Sequence, residues 1–174
     1  MVAAEMEGET MARMSVDMMA VLDKCAEIEL KSMELYDLYA DCFEHDLDVA
    51  RMWRRVAREE ENHANQFRLA LKMREGAIKD VTLDPTRVEY ILTELQLAID
   101  SVKRACPTLE EALHSAIKLE EDLSRMHVQY VVDFEDEMCR RFFNALMMDD
   151  KIHAGRLREA YESASNNSCS AGCG

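Results

Sequence analysis

Apolar residues recur every three or four positions along most of the chain, and breaks in that rhythm divide it into helices. From about Met14 to Glu44 the inward set is Leu22, Cys25, Ala26, Glu29, Met33, Tyr36, Ala40 and Phe43. His45-Asp46-Leu47-Asp48 interrupts it and offers a capping Asp to a second helix, from about Val49 to Gly76. That helix carries Val49, Trp53 with Met52 beside it, Val56, Glu60, His63, Phe67, Ala70 and Leu71 on one side, and Gly76 supplies a stop signal.

A long connection follows, from Ala77 to Pro107, with an N-cap and first-turn pair at Asp84-Pro85 and a helical stripe of Val88, Ile91, Leu92, Leu95 and Ile99. It exceeds what two adjacent antiparallel helices need and suits a crossover along the length of a bundle. Thr108 with Glu111 has the spacing of a capping box and opens the third long helix. Its inward set is Leu109, Leu113, Ala116, Glu120, Leu123, His127, Tyr130 and Phe134. The best break before the last helix is Val132 to Asp136, after which Cys139, Phe143, Leu146, Asp150, His153, Leu157 and Ala160 run inward to about Ser163. The pattern predicts an all-α, four-helix bundle over residues 14–163, between a flexible leader (1–13) and a flexible, Cys-containing tail (164–174).

Composition agrees with helix almost throughout, with two Pro and five Gly in 174 residues. The net charge of -14 without a basic block argues against nucleic acid or an anionic membrane as partner. No apolar run is long enough to span a membrane, and the acidic N-terminal stretch is unlike a signal peptide, so a cytoplasmic location is expected. Cys25, Cys42, Cys106 and Cys139 lack metal-ligand spacing and read as thiols packed as small hydrophobes. The Met excess, 13 residues with doublets at Met18-Met19 and Met147-Met148, reads as flexible core filler rather than a copper site, because adjacent helical positions cannot face one ion.

Candidate chemistry lies in the charged members of the apolar stripes. Glu60 and His63 sit three residues apart on one helix face, and Asp150 and His153 repeat the pair. Glu29 precedes Glu60 by 31 residues and Glu120 precedes Asp150 by 30, so each half of the chain is a helix hairpin with one carboxylate and one carboxylate-x-x-His. An inward carboxylate is costly unless paired or metal-bound. One carboxylate from each of two helices and a carboxylate-x-x-His from each of the other two is the arrangement of dinuclear carboxylate bundles. Carboxylates bridge hard cations, and an imidazole on each metal adds affinity for first-row transition ions. A bundle held by a hydrogen-bonded carboxylate and His network without metal is the alternative.

Through Glu29 with Tyr36, Glu60-Glu61-Asn62-His63, Glu120 and His153, together with the long crossover, residues 15–162 resemble the rubrerythrin-type branch of the ferritin-like superfamily. The resemblance implies a ferritin-like fold with two iron ions held by Glu29, Glu60, His63, Glu120, Asp150 and His153, with manganese as an alternative metal. It implies oxidation of Fe(II), or reduction of peroxide or oxygen, at that centre. It further implies a homodimer and, since no four-cysteine module is present, an external electron donor such as a rubredoxin-type protein. A non-catalytic metal-binding, storage or sensing bundle is the second reading. Asp150 stands where such proteins usually have Glu, and Leu123 where many carry an additional Glu. Tyr36 and His127 lie two turns beyond Glu29 and Glu120, placed either to orient ligand carboxylates or simply as core, with His127 also an extra ligand candidate. Glu59, Glu61 and Glu121 are expected to point outward into solvent, and His45 and His114 to lie on the surface. For Cys169 and Cys173 a disulfide, transient metal capture and no function all stay open.

Overall fold

The computed structural model describes residues 16–72, 78–80, 85–129, 133–134, 137, 141 and 152–163. Helices dominate: α1 (Val16–Cys42), α2 (Leu47–Ala70), α3 (Pro85–Arg104), α4 (Leu109–Gln129) and α5, described over 152–163. Two short strands, β1 (Ile78–Asp80) and β2 (Asp133–Phe134), pair antiparallel with Ile78 opposite Phe134. β2 occupies the stretch where the sequence places the break before the last helix, and its extended backbone is the reason the helix cannot run on.

The caps form where the residues allow them. Asp46 is extended and its carboxylate accepts from the amides of Asp48 (3.1 Å) and Val49 (3.2 Å), satisfying donors that the first turn of α2 leaves free. At the start of α4 the amide of Thr108 donates to Glu111 Oε2 (2.8 Å), and the amide of Glu111 donates to Thr108 Oγ1 (3.3 Å). α2 ends at Ala70, earlier than the Gly76 expected from sequence, with Leu71 as C-cap: its amide donates to the carbonyl of Phe67 (3.1 Å), and the amide of Lys72 donates to that of Leu69 (2.9 Å). Gly76 and Asp84 lie outside the described residues.

α1 and α2 form an antiparallel hairpin, since Asp41 lies beside Arg54 and Glu29 beside His63. α3 instead runs parallel to α1, with Lys24 on Glu89, Lys31 on Gln96 and Lys103 on Glu34. It thereby returns the chain to the end from which α4 starts, the geometric task of a crossover. α5 packs along α4 and α2 through Arg158 to Glu121 (2.6 Å), Tyr161 to Glu110 (3.1 Å) and Arg156 to Glu59 (3.2 Å).

The core lies along α1, which is covered on more than one side. Leu22, Cys25, Ala26, Tyr36, Ala40 and Phe43 are buried as the stripe predicts, and Ile28, Leu35 and Tyr39 are buried as well. Val88, Ile91, Leu95 and Ile99 of α3 join the same core as Trp53 and Val56 of α2 and Leu113, Ala116 and Leu123 of α4. Burying each of the larger side chains contributes roughly 1.5–3 kcal/mol.

One cysteine expectation is overturned. Cys42, the last residue of α1, and Cys106, just past α3, form a disulfide with Cα atoms 5.5 Å apart, although the two lie 64 positions apart in sequence. The parallel register of α1 and α3 causes this meeting, because the lysine contacts Lys24–Glu89 and Lys31–Gln96 are offset by 65 residues. Cys25 is free and buried as expected, and Cys139, Cys169 and Cys173 lie outside the described residues.

Candidate metal centre

Charged side chains converge midway along this core. Glu29, Glu60, His63, Glu120 and His153 are each at most 3% exposed, on α1, α2, α2, α4 and α5. Glu60 is the hub. Its Oε2 lies 3.4 Å from Nδ1 of His63, and its Oε1 lies 3.2 Å from Nδ1 of His153. His63 Nδ1 is in turn 3.9 Å from Oε2 of Glu29. The two imidazoles stack with ring centres 5.3 Å apart and planes within 18°, so the pair joins the α1–α2 hairpin to α5.

Glu60, His63 and His153 offer ligand atoms that all lie within 4.8 Å of one another. Glu60 Oε1 and His153 Nδ1 are buried, face each other, and have no hydrogen-bond partner. Buried polar atoms left in that state are expensive, and a cation between them removes the cost. The donor set, hard carboxylate oxygen with imidazole nitrogen, is suited to first-row transition ions. A buried Glu and His cluster of this kind fits a metal site.

The helix positions explain why these side chains meet. Three residues separate Glu60 from His63, so both project from one face of α2 toward the bundle axis. Burial by itself would raise the Glu60 carboxyl, but the imidazoles of His153 and His63 outweigh it and hold Glu60 below the ordinary carboxylate range.

Glu120 is reached through Tyr36. The Tyr36 hydroxyl donates to Glu120 Oε1 at 2.6 Å, and both side chains are fully buried. Burial, reinforced by the charges of Glu120 and Glu60, pushes the Tyr36 phenol well above its usual range, so it remains a donor. The ring of Tyr36 stacks on Trp53 at 5.7 Å, and Tyr39 packs against the same indole at 4.9 Å. This aromatic packing fixes where the hydroxyl points. Asp150 and the side chain of His127 lie outside the described residues.

Glu59 departs from its expected place. Instead of facing solvent it is 25% exposed at the side chain, and its Oε2 lies 2.9 Å from Nε2 of His153. Its other oxygen meets Arg55 and Arg156, each at 3.2 Å. Its position one residue off the apolar stripe hid it, and only the placement of α5 brings His153 alongside. Glu61 is exposed as expected, Glu121 pairs with Arg158, and His45 and His114 are on the surface. A half-open pocket of about 360 Å³ reaches both imidazoles from this side, bordered by Glu59, Asn62, Gln66 and Arg156.

No helix among the described residues is long and apolar enough to cross a membrane. No curated protein and no solved structure matches the chain. The family comparison is positive: over residues 20–161 the sequence matches Rubrerythrin, so this helical bundle with its inward carboxylates and histidines belongs to the rubrerythrin family, whose domain is a ferritin-like bundle.

Proposed function

We propose that the chain is a di-iron carboxylate oxidoreductase, oxidising Fe(II) or reducing peroxide or oxygen at the buried cluster. The observation that carries the reading is the convergence of Glu60, His63 and His153, all buried and with ligand atoms within 4.8 Å, beside Glu29. Glu29, Glu60, His63 and His153, with Glu120 and Asp150 from the second half, would hold the two metals. Four carboxylates supply about four negative charges, which two divalent cations balance. Iron bound there supplies the redox chemistry, and the protein supplies geometry and access.

The residues around the cluster have distinct tasks in this reading. Tyr36 orients the Glu120 carboxylate by donating to one of its oxygens, leaving the other for the metal. Trp53 and Tyr39 hold Tyr36 rigid and exclude water from that side. The pocket at His63 and His153 gives a small oxidant or an incoming ion a way in. Electrons come from an external donor, and two copies of the chain associate. Manganese satisfies the same ligands.

Steady-state peroxide consumption by the iron-loaded protein with a supplied reductant tests the activity. Sustained turnover that disappears in Glu60→Ala is expected. Consumption that stops after the first equivalent identifies a binding, storage or sensing protein instead, the reading favoured by a buried aliphatic side chain at Leu123 in place of a further carboxylate.

A further inference from the structure

We propose that Glu59 is a positioning residue for the metal centre: it holds the proton of His153 on Nε2 and so keeps Nδ1 open toward Glu60. The inference rests on the metal-binding reading above and deepens it. A neutral imidazole carries one N–H and one lone pair, and the partner of one nitrogen decides which is which. His153 has a carboxylate at each end, Glu59 Oε2 at 2.9 Å from Nε2 and Glu60 Oε1 at 3.2 Å from Nδ1. The Glu59 side is the shorter contact, and its carboxylate is held from outside by two cations. Arg55 and Arg156 grip the other oxygen of Glu59, and Arg156 also lies 3.5 Å from Oε2. Two guanidinium groups from different helices thus fix the outer carboxylate in position.

The consequence falls on the inner nitrogen. With the proton kept at Nε2, the Nδ1 lone pair points at Glu60 Oε1, an acceptor facing an acceptor. That arrangement is unfavourable without a cation and is therefore selective for one. If the outer carboxylate is removed, the proton is free to move to Nδ1 and donate to Glu60, which blocks the atom that would bind metal. Glu59 borders the pocket that leads to the two histidines, so an arriving ion meets a ring already turned the right way.

The test has two readouts on Glu59→Ala, Glu59→Gln and Arg156→Ala. The first is side-chain 15N spectroscopy of the metal-free protein, which reports which nitrogen of His153 is protonated. The second is Co(II) affinity, by competition with a chromophoric chelator. The expected result is an Nε2-protonated ring in the parent chain, loss of that state in Glu59→Ala, and Co(II) affinity about 10–100-fold weaker. Glu59→Gln, whose amide oxygen still accepts, should recover the Nε2 proton and most of the affinity, and Arg156→Ala should fall between. An unchanged protonation pattern in Glu59→Ala, or unchanged Co(II) affinity, overturns the proposal. Because the spectroscopic arm needs no metal, a parent chain that binds no Co(II) contradicts the metal-binding reading, whereas an unshifted nitrogen contradicts the role of Glu59. Should Glu59→Ala fail to fold, as judged by circular dichroism, Arg156→Ala decides by the same readouts.

Discussion

A titratable side chain buried on an otherwise apolar helix face is costly unless it has a partner. Glu29, Glu60, Glu120 and His153 could be picked from sequence because each interrupts a run of core residues, and all four are buried. Removing the Tyr36 hydroxyl takes a 2.6 Å donor from the buried Glu120. Tyr36→Phe is therefore expected to cost about 1–3 kcal/mol in the metal-free protein, measured by urea denaturation, with the helix content unchanged. Cys25 gives an independent check on packing. Burial pushes its thiol up to about 12, and the thiolate is the nucleophile, so Cys25 should resist maleimide at neutral pH until the chain unfolds. Peptide mass mapping would detect its labelling. Glu59 could not be found this way. It lies about 100° around the helix from Glu60, and no sequence feature announces that a ring from another helix will lie beside it.

Elements were legible wherever local chemistry determines them. Asp46 and the Thr108–Glu111 box cap helices as their spacing implies, so Thr108→Ala should lower stability by about 1 kcal/mol, read from the urea midpoint. What local chemistry does not encode is the direction of the crossover helix. Whether α3 runs along α1 depends on the whole bundle, and the Cys42–Cys106 disulfide follows from that direction alone. The two thiols therefore looked unrelated in sequence. A cross-link between residues 64 apart restricts the unfolded chain strongly. Replacing both cysteines by serine should cost about 2–4 kcal/mol. Metal uptake by that variant should be unchanged, since the bridge closes the far end of α1, beyond Tyr36 and Glu29. Loss of uptake would mean that the staple sets the site's geometry.

At the scale of the whole molecule, the cluster is where two helix hairpins meet. Glu29, Glu60 and His63 come from the first, and Glu120 and His153 from the second. A metal that binds the folded chain and not the unfolded one adds about 2.7 kcal/mol when present at a hundred times its dissociation constant. Chelation should accordingly lower the thermal midpoint, and an equal midpoint with and without chelator would describe a bundle that stands on its hydrogen bonds alone. The burial of Glu29, Glu60, His63, Glu120 and His153 was readable from spacing, because helical periodicity turns sequence distance into a shared face; Asp150, the remaining member of the repeat, lies outside the described residues. The pocket and the stacked imidazoles were not, because they arise only when both hairpins are assembled. The most direct measurement of the central claim is anaerobic titration of Fe(II) into the metal-free protein. Saturation at two irons per chain is expected, with the loss of at least one in the Glu60→Ala, His63→Ala double variant. No saturable uptake, or uptake unaltered by that double substitution, would contradict it.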